Sequence, residues 1–391
     1  MASSNGPASV LAPHAKSDGP LPYLDLRSQF KEIRDEVMQG VTKILEDQQF
    51  ILGPEVKAFE TEIAETVGVK AAVGCASGSD ALLLALMALG VEAGDEVIVP
   101  AFTFVATAGS VARLGAKPVF VDILPDTYNL DSSLIERLIT NRTRAIIPVH
   151  LFGLPADLDA IQDIARRRHL SVVEDAAQAI GARYREKQVG STSEFGCFSF
   201  FPSKNLGGAG DGGLITTNSP ETAERLRVLR AHGARRKYSY DVLGINSRLD
   251  AIQAAILRVK LRHLHDWTEG RRRNADRYQN LFASHGLDRL VKLPTTLSDC
   301  FHVYNQFTIR VPERDRLQNH LKTRGIPSEV YYPSPLHLQP AFQYLGYRPG
   351  TCPVAEAACR EVVSLPIYPE LTEQQQARVV GEIADFYEGR T

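Results

Sequence analysis

Ser199-Phe-Phe-Pro-Ser-Lys204-Asn-Leu-Gly-Gly-Ala-Gly-Asp-Gly-Gly213 sets one lysine between an apolar run, Phe195 to Phe201, and a glycine-rich loop. The apolar side predicts a buried strand. The loop predicts backbone packed close to something bulky or phosphorylated. A lysine held there is not a freely solvated charge. Partial burial lowers the pKa of an amine, and a neutral amine attacks a carbonyl carbon. Alone the lysine decides little, because most lysines are plain surface residues.

Two upstream stretches add weight. Leu170-Ser-Val-Val-Glu-Asp175-Ala-Ala-Gln178 reads as a buried strand ending in an acid. At the C-terminal end of a parallel strand such an acid faces the ligand crevice. A helix N-cap is the plainer reading of Asp175 on its own. Gly74-Cys-Ala-Ser77-Gly78-Ser79-Asp80 precedes the apolar run Ala81 to Leu89. Small residues and hydroxyls opening a helix leave free amides for a phosphate. An ordinary Ser/Asp cap explains the same serines. The combination is more telling than its parts. A phosphate nest, an acid for a ring nitrogen and a carbonyl-trapping amine come in the order that pyridoxal phosphate needs, with Lys204 forming the Schiff base.

Composition sets bounds. The chain has 391 residues, 44% hydrophobic and 23% charged, enough for one large and one smaller domain. A net charge of -2 gives no electrostatic case for nucleic acid or a membrane surface. Cys75, Cys197, Cys300, Cys352 and Cys359 are scattered and never form Cys-x-x-Cys, which predicts reduced thiols in a cytoplasmic enzyme. No apolar run reaches membrane-spanning length. Residues 1–20, rich in Ala, Ser, Gly and Pro without a signal-peptide core, predict a disordered tail.

From residue 50 onward short apolar strands alternate with helical stretches, which predicts an α/β fold with a mostly parallel sheet flanked by helices. The strands are Val97–Pro100, Pro118–Val121, Ala145–Val149 and Leu170–Val173, and the helical stretches include Leu134–Ile139 and Leu158–His169. Arg248 to Asp266 predicts one long helix, with Leu249, Ile252, Ile256, Val259 and Leu264 on one side. The pattern changes after Trp267. Residues 21–266 are therefore expected to form the large domain and 267–391 a smaller α+β domain. Val303 to Val311 alternates as a strand does. Arg271-Arg-Arg273 reads as a solvated helix face.

Two rival chemistries fare poorly. Gly208-Ala-Gly-Asp-Gly-Gly213 matches the dinucleotide fingerprint in form, but the next residues, Leu214 to Thr217, are strand-like where a helix is required. His150, His232 and His337 show no metal-ligand spacing, so no metal is expected.

The chain closely resembles the sugar aminotransferases of the DegT/DnrJ/EryC1/StrS group, within fold type I of the pyridoxal phosphate enzymes. The matching stretches include Phe50-Ile-Leu-Gly-Pro-Glu-Val, Ser77-Gly-Ser-Asp-Ala-Leu, Gly94-Asp-Glu-Val-Ile-Val-Pro, Phe102-Thr-Phe-Val-Ala-Thr, Glu174-Asp-Ala-Ala-Gln, the Lys204 run and Gly244-Ile-Asn-Ser-Arg-Leu-Asp. Fold type I implies a large domain built on a seven-stranded sheet. The resemblance implies that Lys204 is the Schiff-base lysine and Asp175 the partner of the pyridine nitrogen. It places Gln178 near the ring hydroxyl and Phe104 stacked on the ring. Gly78, Ser79 and Ser199 match phosphate contacts. Asn246 matches an asparagine reaching the phosphate of the neighbouring subunit, which implies a homodimer with a shared site. Two departures stand out. Ser79 replaces the usual Thr, and Gly208-Ala209 replaces a larger residue.

The implied reaction moves an amino group from L-glutamate, by way of pyridoxamine phosphate, to a nucleotide-linked keto-sugar. Tyr331-Tyr-Pro-Ser-Pro-Leu-His337-Leu-Gln resembles the form found in enzymes acting on 3-keto sugars. A 3-keto hexose, dTDP- or UDP-linked, is therefore expected, with Tyr331, Tyr332 and His337 lining the sugar pocket. The alternatives are amination at C4 and a sugar dehydratase. Some relatives become dehydratases by replacing the lysine with histidine. This chain keeps Lys204.

Overall fold

The computed structural model describes residues 21–389. The expected tail, residues 1–20, lies outside the described residues. The chain opens with two helices, α1 (Leu26–Asp47) and α2 (Gly53–Val67), and then enters the sheet at β1 (Ala71–Cys75). Alternation follows, through α3 (Gly78–Leu89), β2 (Glu96–Pro100), α4 (Val105–Arg113), β3 (Lys117–Val121), β4 (Thr143–Ile146), α5 (Leu158–Arg168) and β5 (Ser171–Asp175). A short hairpin, β6 (Arg183–Tyr184) and β7 (Lys187–Gln188), precedes β8 (Phe195–Ser199) and β9 (Gly213–Thr217), after which come α6 (Pro220–Leu229) and a second short hairpin, β10 (Ala234–Arg236) and β11 (Ser239–Tyr240).

The sheet order is β1-β9-β8-β5-β4-β2-β3. Five neighbours run parallel, whereas β9 is antiparallel to both β8 and β1. The seven strands match the expected count. β9 reverses because the Lys204 run returns the chain to the sheet without a crossover helix. β2, β5 and β9 are buried or nearly so along their length, as strands covered on both faces must be. One core contains Val73, Val97, Val99, Phe102, Phe120 and Val173. The other sheet face buries Ile98, Val119, Ile146, Ile161 and Val172.

The expected helix over 248–266 is broken. α7 (Ala251–Leu261) ends at Leu261, and α8 (Leu264–Ser284) starts after two intervening residues, Arg262 and His263. The backbone amides of Arg262 and His263 tighten onto carbonyls three residues back, Val259 and Lys260. The bend brings Trp267 onto Ile33, Val37, Ile256 and Val259. Leu134–Ile139 forms two 3₁₀ turns rather than a helix.

The C-terminal part pairs β13 (Phe307–Arg310) antiparallel with β14 (Val362–Leu365), after the two-residue β12 (Cys300–Phe301). α8, α9 (Arg314–Thr323) and α11 (Glu373–Glu388) close a core of Tyr278, Phe307, Ile309, Leu321, Val363 and Ile383. Leu21 joins this core from the other end of the chain. Conversely, Leu336, Phe342 and residues of α10 (Pro353–Glu361) pack into the core of the large sheet. The strand expected over Val303–Val311 is shorter. Tyr304 sits at φ 46°, so the chain cannot extend through it. Arg271 is also not on a solvated face: it is 4% exposed, and its guanidinium donates to the carbonyls of Tyr304, Asn305 and Ile367.

Gly213 opens β9 where a Cβ would stand 2.3 Å from the Ser77 carbonyl carbon and oxygen. Gly213→Ala is expected to lower the stability of the cofactor-free protein by about 2–3 kcal/mol through overpacking. Chemical denaturation of the two proteins side by side measures it.

Candidate active site

β5 runs into the crevice at the C-terminal ends of the parallel strands and delivers Asp175 there, 5% exposed. Its carboxylate accepts from the Thr107 hydroxyl at 2.8 Å and from the Ala177 amide at 3.2 Å. Burial still pushes the carboxyl above its ordinary value, against those bonds and the nearby amine of Lys204. The Lys204 side chain is half-buried at the turn after β8 and makes no side-chain hydrogen bond among the described residues. Burial pulls its amine down to about 8, with Asp175 opposing. Burial thus disfavours the charge of both acid and amine in one crevice, an arrangement suited to a further group between them.

α3 begins beside them. Ser77 caps the helix by accepting from Asp80 N at 3.1 Å. The amides of Gly78 and Ser79, at the first two helical positions, have no partner inside a helix. Ser199 lies against them, because a Cβ on Gly78 would meet the Ser199 Cβ at 2.6 Å and its Oγ at 3.1 Å. Gly78, Ser79 and Ser199 therefore assemble into one anion-accepting corner. Phe104 opens α4, three residues before Thr107, and is 56% exposed. A large apolar ring left open beside a buried carboxylate offers a stacking face.

Gln178 is fixed at both ends. Its Oε1 accepts from the Phe152 amide at 2.7 Å, and its Nε2 donates to the Tyr332 hydroxyl at 3.2 Å. The Tyr332 ring lies 5.9 Å from Phe102 and 6.3 Å from Phe104, so it reaches this crevice, whereas Tyr331 adjoins it through the Tyr332 ring at 5.8 Å. His337 does not join them. It is 1% exposed, bonds Glu356 at 3.1 Å through Nε2 and packs near Phe120 and Tyr347. Those contacts make it a packing residue. Asn246 is exposed, and its backbone bridges Ala231.

The glycines after Lys204 read differently in three dimensions. A Cβ on Gly207 would meet the Pro202 carbonyl at 2.3 Å, and one on Gly208 the Gln253 Oε1 at 2.7 Å. They pack against protein, not against a ligand. The run ends directly in β9, so no helix follows it.

Sequence reasoning passed over several supports. Glu174 accepts from His150 Nε2 (2.9 Å), the amides of Gly190 (2.6 Å) and Ser193 (3.0 Å) and the Thr192 hydroxyl (3.2 Å). The Ala156 amide donates to His150 Nδ1, which puts the imidazole proton on Nε2. Thr107 carried no signal, since nothing local marks a threonine that bonds a residue 68 positions away. Among the described residues no three His, Cys, Asp or Glu side chains are grouped to hold a metal ion. None of the described helices is long and apolar enough to cross a membrane. Two roomy cavities, of about 780 and 760 Å³, lie elsewhere and contain no residue of this crevice.

The set suits pyridoxal phosphate on its own chemistry. It offers an amine of lowered pKa for the carbonyl, a desolvated carboxylate for the ring nitrogen, amides with a hydroxyl for the phosphate and an open aromatic face for the ring. Comparison with known proteins agrees. The profile of the DegT/DnrJ/EryC1/StrS aminotransferase family matches residues 31–384. The chain is 53% identical to the "Pleiotropic regulatory protein" of Geobacillus stearothermophilus, over 94% of this chain and 98% of that one. It is 50% identical to the UDP-N-acetyl-3-dehydro-alpha-D-glucosamine 3-aminotransferase of Acidithiobacillus ferrooxidans, over 92% and 96% of the two chains. The crystal structure of S. venezuelae DesV in complex with a ketimine intermediate superposes with a TM-score of 0.92 at 45% identity, covering 94% and 99%.

The amine of Lys204 in cofactor-free protein is expected to acylate with a pH midpoint near 8, not the 10.5 of a solvated lysine. Below that midpoint the amine is protonated and unreactive. Mass spectrometry of Lys204 labelling between pH 6 and 11 measures it.

Proposed function

Because this chain belongs to the DegT/DnrJ/EryC1/StrS aminotransferase family, we propose the following course for its reaction. The protein is a pyridoxal phosphate-dependent aminotransferase acting on a nucleotide-linked 3-keto sugar. Lys204 holds the cofactor, Asp175 faces its ring nitrogen, and Phe104 stacks on the ring. Gly78, Ser79 and Ser199 take the phosphate, and Gln178 faces the ring hydroxyl. One observation carries this reading: a lysine and an aspartate share a crevice whose burial lowers the pKa of the amine and raises that of the carboxyl.

Bound pyridoxal phosphate supplies the electron sink that makes the donor's α proton acidic and carries the amino group between half-reactions. The chain supplies the rest. Asp175, desolvated and braced by Thr107, is stabilised as the carboxylate when a cationic ring nitrogen faces it. Lys204, once displaced by the donor amine, moves a proton between the donor's α carbon and the cofactor's C4′. An amine near pKa 8 takes and returns that proton close to neutral pH. The donor is L-glutamate, as the family resemblance implies, and the acceptor carbonyl sits at C3 of a hexose linked to UDP or dTDP. The A. ferrooxidans relative, named for a UDP-linked 3-dehydro sugar, supports that position. So do Tyr331 and Tyr332, whose segment resembles that of the 3-keto enzymes. A purely regulatory protein has no need of an amine and an acid whose charges burial disfavours.

The working unit is a homodimer with shared sites. Leu243 is 94% exposed, Tyr238 80%, Ile51 58% and Phe201 53%, large apolar side chains of the kind that a partner subunit covers. Asn246, exposed in the same region as Leu243, would complete the phosphate site of the partner subunit.

Two experiments test this reading. Purified protein with pyridoxal phosphate is expected to show a visible absorption band that L-glutamate bleaches, and Lys204→Ala to lose both band and turnover. A Lys204→Ala variant that transaminates a 3-keto sugar nucleotide sinks the assignment. For the shared site, mixing inactive Lys204→Ala and Asn246→Ala subunits is expected to restore activity, because each heterodimer then holds one intact site. Mixtures that stay inactive after subunit exchange, verified by mass spectrometry, count against sharing.

A further inference from the structure

We propose that Asn205 is a positioning residue for Lys204, clamping the lysine's backbone to the segment Val303–Asn305 of the C-terminal part. This rests on reading Lys204 as the amine that holds the cofactor. Asn205 Nδ2 donates to the Val303 carbonyl at 3.0 Å, and its Oδ1 accepts from Asn305 Nδ2 at 2.8 Å. Both asparagines are buried, 5% and 6% exposed. One short carboxamide thus serves as donor and acceptor at once. Asp loses the donor, Gln is one methylene too long, and Ala loses both bonds.

The far side of the clamp is itself immobilised. Val303 N donates to the Gly153 carbonyl at 3.1 Å and Asn305 N to the Phe152 carbonyl at 2.9 Å. Arg271 holds the carbonyls of Tyr304 and Asn305 at 3.2 and 3.4 Å. The Phe152 amide fixes Gln178, so the anchor of Asn205 also anchors the residue facing the ring hydroxyl. The near side is equally tight. Lys204 N donates to the Phe201 carbonyl at 2.9 Å, and Lys260 Nζ to the Gly207 carbonyl at 2.7 Å. Of these ties, only Asn205's joins the lysine turn to the C-terminal part.

Stability alone does not account for the arrangement. Asn305 Oδ1 is buried without a hydrogen-bond partner, which costs stability. The pair keeps that deficit while holding one geometry. A lysine that must reach both a carbonyl carbon and the donor's α carbon is sensitive to shifts of its backbone, since a misplacement near 1 Å costs about 100-fold in rate.

The test compares Asn205→Ala, Asn305→Ala and their double variant with Thr308→Val. Thr308→Val removes a buried hydrogen bond to Ser364, 2.8 Å long, elsewhere in the C-terminal part. Positioning predicts that Asn205→Ala lowers kcat by about 10–100-fold while KM for the donor changes less than about threefold. In cofactor-free protein, the Lys204 acylation midpoint is expected to rise by about half a pH unit or more as the loosened amine hydrates. Asn305→Ala, which removes one of the clamp's two bonds and leaves that to the Val303 carbonyl, is expected to move both readouts in the same direction by less. It stands in if Asn205→Ala fails to fold. The double variant should be no worse than Asn205→Ala. Thr308→Val should lower Tm and leave the Lys204 midpoint in place. Asparagine variants that lose Tm yet keep kcat and the midpoint overturn the clamp. A wild type without the visible band overturns the reading of Lys204 instead, while the acylation experiment still judges the clamp.

Discussion

A carboxylate taken out of water is the constraint from which the crevice follows. Asp175 sits at the end of a strand buried on both faces, where ionisation is expensive unless a cation faces it. The two bonds from Thr107 and Ala177 lessen that expense without removing it. Lys204 offsets part of the remainder, and Asp175 in turn favours the lysine's charge against the burial that lowers its pKa. The protein by itself leaves that carboxylate incompletely compensated, and on the proposed assignment a protonated ring nitrogen would complete the compensation.

The fold serves this constraint from several directions. Strand β5 brings the acid, the turn after β8 brings the amine, and the start of α3 brings the anion corner. These arrive from separate stretches of chain and meet where the parallel strands end. The C-terminal part is built into the site as well. Tyr332 reaches Gln178 from it, and Val303–Asn305 holds Asn205 from it. Core membership crosses the two parts likewise, with Leu21 in the C-terminal core and α10 packed into that of the large sheet.

Much of this was legible in the sequence because it rests on local chemistry. Short apolar runs bounded by turns gave the strands, and the small polar opening at Ser77 gave the start of α3. The Lys204 run announced a strand, a turn and a strand by composition alone. What stayed hidden depends on distant partners. The glycines of the Lys204 run looked like room for a ligand, but Gln253 and Pro202 fill that room. Arg271, one of three consecutive arginines, looked solvated because nothing local shows that three carbonyls await it. The break at Arg262 and His263 interrupts a stretch whose apolar spacing runs on, and it answers to Trp267 meeting α1.

Glu174 and Asp175 are neighbours in sequence and alike in chemistry, yet one meets four protein donors and the other faces an amine. Side chains along a strand alternate between faces, so parity alone decides which acid goes where. A slip of β5 by a single residue would carry one acid into the other's place. Either the crevice would hold the longer acid while the four donors prepared for Glu174 faced Val173, or those donors would face the shorter Asp175 while the crevice held Ala176. The deep hydrogen bonding of Glu174, remote from any chemistry, thus acts as a lock on register. It makes every odd-numbered shift of the strand costly, and so it guards the identity of the acid that the crevice presents.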